Sequence, residues 1–202
     1  MFTGLIEATG RIEQVGPAAS GRTLRIAAPF AAELRPGDSV AVNGVCLTVA
    51  SADDHGFEVA VSPETLRVTT FRTAEPGGVV NLERPLPADG RLGGHFVLGH
   101  VDAVGRVIEL LPQGDCSWLS IEAPAAVAPY LVPKGSIAVD GISLTIASLD
   151  GTRIGVQIVP FTFAHTGVRM LRPGDAVNIE TDVLGKYVVN LIAQRGVLAG
   201  EP

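Results

Sequence analysis

Two short runs in this chain set a reactive side chain beside a hydroxyl: Cys46-Leu47-Thr48 and Ser143-Leu144-Thr145. Side chains alternate between faces along an extended strand, so Cys46 and Thr48 point one way and Leu47 the other. Ser143 and Thr145 share a face in the same manner. A thiol and hydroxyls turned alike along matched strands describe a polar, ligand-facing lining, although a free cysteine also commonly serves as a small buried hydrophobe. The four histidines are His55, His95, His100 and His165. His55 falls in a turn, and the spacing of His95 and His100 puts them on opposite faces of any strand. No cysteine or acidic cluster accompanies them, so no metal site is expected. Lys134 enters a strand, where it is either a solvated cation or a pocket residue. Asp182 stands just before a helical pattern, where it would serve as an N-cap. No phosphate-binding glycine loop, dinucleotide fingerprint or serine-hydrolase elbow is present.

These residues lie at equivalent places because the chain is written twice. Pro36 to Ser51 reads PGDSVAVNGVCLTVAS and Pro133 to Ser148 reads PKGSIAVDGISLTIAS, with nine of 16 positions identical and five more conservative. The run from Ser62 to Glu83 echoes that from Val159 to Glu180 at the same offset, and Gly4 to Arg11 is echoed by Gly99 to Arg106. A period this long is a duplicated domain rather than a solenoid repeat of ~20–50 residues. The informative positions are those that differ: Cys46 against Ser143, Leu5 against His100, Gly37 against Lys134.

Each copy reads as short strands divided by turns. They are expected near Leu5–Val15, Thr23–Ala28, Ser39–Ala50, Phe57–Val61 and Val79–Leu82. In the second copy they fall near Val101–Leu110, Ser117–Ala123, Ser136–Ser148, Arg153–Val159 and Ala176–Thr181, with a hairpin at Asp150-Gly151. Helical turns are expected after Ser62-Pro63 and Val159-Pro160. Closed barrels remove the exposed edges of so small a sheet. Leu184, Tyr187, Val188, Leu191 and Ile192 recur at helical spacing up to about Gln194. That helix either docks on its own barrel or associates with other copies. The expected units are residues 1–96, 97–183 and 184–202, with the glycine pair Gly93-Gly94 at the first boundary.

A net charge of −6 with scattered Lys and Arg disfavours nucleic acid or an anionic membrane as partner. No apolar run approaches the ~20 residues of a membrane span. The start of the chain lacks the pattern of a secretion signal, and two cysteines make no disulfide framework. A cytoplasmic protein is expected.

Five segments together resemble the riboflavin synthases: Met1 to Glu7, Asn43 to Thr48, Gly93 to His100, Asp140 to Thr145 and Glu180 to Tyr187. The resemblance spans essentially the whole chain. It implies an all-β fold of two tandem homologous six-stranded Greek-key barrels, plus a C-terminal helix that assembles a homotrimer. It implies a transferase needing neither cofactor nor metal. Two molecules of 6,7-dimethyl-8-ribityllumazine would dismutate by four-carbon transfer to riboflavin and 5-amino-6-(D-ribitylamino)uracil. The active site would lie between subunits, and lumazine synthase is implied as an associating partner. By the same resemblance Gly4, Leu5, Ile6, Cys46, Leu47, Thr48, Ala60, Val61, Ser62, Pro63, Glu64 and Thr65 line an N-terminal pocket. Gly99, His100, Val101, Lys134, Ser143, Leu144, Thr145, Gln157, Ile158, Val159, Pro160, Phe161 and Thr162 line a C-terminal one. The candidates for chemistry are Cys46, His100, Ser143, Thr145 and Asp182. His100, or a thiol or hydroxyl partner, would take a proton from the acidic C7 methyl of one lumazine. Cys46 or a held water would activate the other at C7. Two departures from the family pattern bear on the second pocket: Phe161 to Gly167, and Leu98 before Gly99-His100. The rival reading is a non-catalytic lumazine- or flavin-binding protein of the same fold, and a barrel with no small ligand is a third.

Overall fold

Twelve strands close into two antiparallel barrels in the computed structural model, which describes residues 1–198. The first barrel contains β1 (Ala8–Pro17), β2 (Arg22–Ala27), β3 (Ser39–Val42), β4 (Val45–Ala52), β5 (Gly56–Val61) and β6 (Val79–Glu83). They are ordered β1-β2-β5-β4-β3-β6, a Greek-key path. The second contains β7 (Ala103–Gln113), β8 (Cys116–Glu122), β9 (Ser136–Val139), β10 (Ile142–Asp150), β11 (Arg153–Ile158) and β12 (Ala176–Thr181), and repeats that order strand for strand. Inward-facing residues fill each barrel: Leu24, Ile26, Val40, Val42, Phe57 and Val59 in one, Leu119, Ile121, Ile137, Val139, Ile154 and Val156 in the other. Burying such side chains removes apolar area from water at roughly 25 cal/mol per Å².

Single strands expected over Ser39–Ala50 and Ser136–Ser148 are each a hairpin instead. The chain reverses at Asn43-Gly44 and Asp140-Gly141, whose φ angles of 44°, 72°, 45° and 79° are all positive. A two-residue hairpin turn demands that conformation, and Asn-Gly and Asp-Gly are the pairs that adopt it at least cost. Apolar residues on both sides made the run look continuous. The first strand also starts later than expected, at Ala8, because residues before it run outside the sheet.

Helices α1 (Pro63–Val68) and α2 (Pro160–His165) follow β5 and β11, each with proline in its first turn. Helix α3 (Val183–Leu198) ends the described chain. Of the two alternatives open for α3, docking on its own barrel is not made by its apolar stripe. Leu184, Tyr187, Val188, Leu191 and Ile192 are each 55–66% exposed. Only its root is tied down, by an ion pair of 2.7 Å between Lys186 Nζ and Asp102 Oδ1. The last expected residues, 199–202, lie outside the described part. Among the described residues no helix is long and apolar enough to cross a membrane.

The barrels meet through their two matched turns. Gly44 and Gly141 touch backbone to backbone, since an added Cβ on either would lie 2.6–2.7 Å from the other's nitrogen. Around them the hydrogen bonds come in symmetric pairs. Asn81 Nδ2 donates to the Asp140 carbonyl at 3.0 Å, and Asn178 Nδ2 to the Asn43 carbonyl at 2.9 Å. The Asn81 N–H donates to Asn43 Oδ1 at 2.7 Å, and the Asn178 N–H to Asp140 Oδ1 at 2.8 Å. The arrangement differs in one respect: the second turn carries a carboxyl. Burial pushes Asp140 up to about 7, against the opposing pull of the Asn178 N–H.

Candidate functional site

Two buried glutamates at the ends of β6 and β12 place the loops that carry the expected site residues. Glu83 Oε1 accepts from the Thr3 N–H at 2.6 Å and the Thr3 hydroxyl at 2.7 Å, while Oε2 accepts from the Gly4 N–H at 2.9 Å. Glu180 Oε1 accepts from the Leu98 N–H at 2.7 Å, and Oε2 from the N–H groups of Gly99 and His100 at 2.9 and 3.1 Å. Burial raises both carboxyls above the usual range, and the donated N–H groups work against it.

So held, each loop crosses to the other barrel. The Gly4 carbonyl accepts the Ser143 N–H at 2.8 Å, and the Gly99 carbonyl accepts the Cys46 N–H at 2.9 Å. Glycine is required at both places. Their φ angles are 78° and 79°, and a Cβ would sit 2.5 Å from that of Ser143 or Cys46. Ile6 accordingly packs against the second core and Val101 against the first. The expected grouping is therefore corrected: Gly4–Ile6 accompany Ser143–Thr145, and Gly99–Val101 accompany Cys46–Thr48. Phe2 makes the crossing rigid, pairing with Val97 and burying itself completely among Val97, Ala41 and Ala138.

Next to each crossed loop the barrel wall opens. The β4–β5 ladder begins only at Val49↔Val59, and the β10–β11 ladder only at Ile146↔Val156. Continuing those registers would set Thr48 opposite Ala60, Cys46 opposite Ser62, and Thr145 opposite Gln157. No ladder pairing is made there, so two slots run between strand segments whose facing edges keep backbone groups outside the ladder, with the Cys46 and Ser143 N–H groups taken by the crossed loops. Such an edge suits a flat heterocycle bearing amide-like groups. The alternation expected from sequence holds: Leu47 and Leu144 are buried, Cys46 and Ser143 half-buried, Thr48 and Thr145 exposed. Val61 and Ile158 face the cores, with Ala60, Ser62, Gln157 and Val159 outward. Ser62 caps α1 by accepting the Thr65 N–H at 3.1 Å, whereas Val159 in the second copy offers α2 no such bond. Cavities of about 560 and 620 Å³ lie elsewhere, beside Asn43 and Asp140 and beside Arg22 and Arg72; the expected site residues line neither.

Of the two histidines near the crossed loops, it is His95 whose ring contacts an expected site residue. His100 is exposed, and what holds it is its backbone N–H on Glu180. His95 is buried, with Nδ1 2.7 Å from Ser143 Oγ, and its Nε2 is buried without a partner. Burial lowers its pKa below the ordinary histidine value, partly offset by the field of Asp182, so the ring is neutral at pH 7. A neutral imidazole bonded to a hydroxyl can accept a proton. The sequence signal was present in Gly93-Gly94, read as a linker. Gly94 lets the loop press inward, since a Cβ there would meet the Thr3 carbonyl at 2.0 Å and the Ser143 side chain at 3.0 Å. Asp182 caps α3, its Oδ1 accepting the Leu184 N–H at 3.0 Å.

Lys134 has φ of 66° where the first repeat uses Gly37 at 95°. A side chain in this region costs roughly 1–2 kcal/mol. Its exposed Nζ reaches the Ala147 carbonyl on β10 at 3.4 Å, beside the second slot. Strain kept where glycine would relieve it points to a use for the side chain.

Comparison with known proteins agrees with this construction. The lumazine binding domain family matches residues 3–85 and again 98–182. The riboflavin synthase of Mycobacterium tuberculosis is 41% identical over 201 residues, covering 97% of this chain and 100% of that protein. That of Bacillus subtilis is 39% identical over 193 residues (95% and 90%), and that of Actinobacillus pleuropneumoniae 38% over 196 (96% and 91%). Among solved structures, LumP complexed with riboflavin matches with a TM-score of 0.83 at 25% identity, over 90% of this chain and 99% of that one. LumP complexed with 6,7-dimethyl-8-(1'-D-ribityl) lumazine has a TM-score of 0.81 at 23% identity, with the same coverage, a likeness of fold. Two barrels, two crossed loops and near-full-length identity about 40% to these enzymes place the chain in the riboflavin synthase family.

Proposed function

We propose that the chain dismutates two molecules of 6,7-dimethyl-8-ribityllumazine, moving a four-carbon unit from one to the other. Riboflavin and 5-amino-6-(D-ribitylamino)uracil leave. The observation that carries this reading is the pair of matched slots with unlike chemistry. A reaction between two identical substrates needs two related pockets that treat them differently. Cys46 and Thr48, with the Gly99–Val101 loop, would face one lumazine. Ser143, Thr145 and His95, with Lys134 and the Gly4–Ile6 loop, would face the other.

His95 and Ser143 are suited to take the proton from the C7 methyl of the second lumazine, the role expected of His100 or of a thiol or hydroxyl partner. Cys46 or a water it positions would activate the first lumazine, and Asp182 biases the imidazole. Holding two substrates face to face can lower the barrier by ~7–11 kcal/mol without any covalent step. Both slots are open in one subunit, and α3 exposes an apolar stripe. A homotrimer that closes the first barrel's slot against a neighbour's second is supported by these two features. The same reading keeps the units 1–96, 97–183 and 184–202, a cytoplasmic location and lumazine synthase as associating partner.

The deciding experiment supplies the protein with dimethylribityllumazine and follows riboflavin absorbance. Turnover is expected. A stable bound chromophore without turnover would make the chain a carrier rather than an enzyme. A chain ending before Leu184 should sediment as a monomer and lose turnover; a truncated chain that retains full activity would overturn the shared site.

A further inference from the structure

We infer that Phe161, stacked on His165, is the shelf that grips the planar ring in the second barrel's slot, making that slot the tighter of the two for fused heterocycles. This rests on the lumazine reading above and assigns the specificity of one of its sites. The repeats align Glu64 with Phe161 and Val68 with His165. In the first copy Glu64 is engaged by Arg67, with contacts of 2.6 and 2.8 Å, so the rim of that slot is charged. In the second copy no such pair exists, and an aromatic ring stands in the same place at 71% exposure.

That ring is fixed in position. Its centroid lies 4.1 Å from that of His165, with 20° between the planes. His165 is itself anchored, because Nδ1 lies 2.8 Å from the Phe161 carbonyl. A carbonyl only accepts, so Nδ1 donates and Nε2 is the ring nitrogen left for a ligand, open to a polyol side chain whose hydroxyls both donate and accept. Helix α2 starts two residues beyond the end of β11, so this stack borders the slot between Ser143–Thr145 and Gln157–Val159. A preorganised aromatic face beside strand edges left outside the β10–β11 ladder describes a site for a flat, hydrogen-bonding ring system.

The test titrates riboflavin, as a ring probe, into the full-length assembly of the parent and of Phe161→Ala, Phe161→Glu and Phe161→Tyr. Trp118, the only tryptophan, pairs with Gln157 and marks the second barrel's slot by its deeper quenching. Phe161→Ala and Phe161→Glu should weaken that class of site about five- to tenfold, leaving the other within about twofold. Phe161→Tyr should restore it, and KM for lumazine should rise more than kcat falls. If the parent forms riboflavin yet both classes bind Phe161→Ala as before, the shelf is refuted. If Phe161→Ala instead dissociates the assembly and weakens both classes together, Phe161 is a subunit contact and the inference fails. A parent that neither binds lumazine nor forms riboflavin would sink the functional reading itself.

Discussion

Cys46 and Ser143 hold one place in two repeats but keep different company. Cys46 packs partly against the Phe2–Val97 cluster, whereas Ser143 bonds to a buried imidazole. Cys46→Ala should slow turnover strongly while lumazine binding stays measurable by fluorescence titration; an unchanged kcat would remove the thiol from the mechanism. His95→Gln should lower kcat by about 10²–10⁴, the usual worth of a positioned base. The parent's pH–rate profile should lose activity on the acid side only below the ordinary histidine value of about 6.5. An acid limb at or above that value would mean another group takes the proton. At this scale the thiol, the hydroxyls and their faces were legible from strand parity and from the repeat. His95 was not, because its role depends on burial against Ser143, 48 residues away.

The elements that position these side chains depend on two carboxylates more than on the strands themselves. Glu180 receives three N–H groups, so Glu180→Gln replaces one accepting oxygen with a donor and leaves buried donors unpaired. The loss should be about 2–3 kcal/mol, read as a lower urea midpoint at unchanged m-value. Gly99→Ala adds a Cβ into Cys46 from a left-handed backbone and should cost at least as much, with KM rising if the fold survives. Strand positions were largely readable from apolar runs and turn residues. The hairpins at Asn43-Gly44 and Asp140-Gly141 were missed although their turn pairs are written plainly. The apolar run on both sides outweighed them, and only the ladder β3–β4 or β9–β10 exposes the reversal.

At the scale of the whole molecule, Asp140 makes the junction between barrels sensitive to pH. Its folded-state pKa of about 7 exceeds the unfolded value near 3.9. The folded protein therefore binds this proton more tightly, and that contribution is complete below pH ~4 and lost as pH rises towards about 7. Asp140→Asn restores the amide of the first repeat, can still accept the Asn178 N–H, and should remove a slope of at most ~1.4 kcal/mol per pH unit. Glu83 and Glu180, also raised, leave a residual slope of the same sign. Denaturation midpoints between pH 4 and 8 check this; parallel curves for parent and variant would refute it. The sequence alone determined the duplication, the barrel class, the helical stripe near Leu184 and the polar faces at Cys46 and Ser143, because each rests on local periodicity or on self-similarity. Only the tertiary structure decided that the loops cross, that His95 rather than His100 meets Ser143, and that α3 leaves its stripe bare. Those outcomes depend on contacts such as Glu83 to Gly4 and Glu180 to Gly99, about eighty residues apart, which no local pattern encodes.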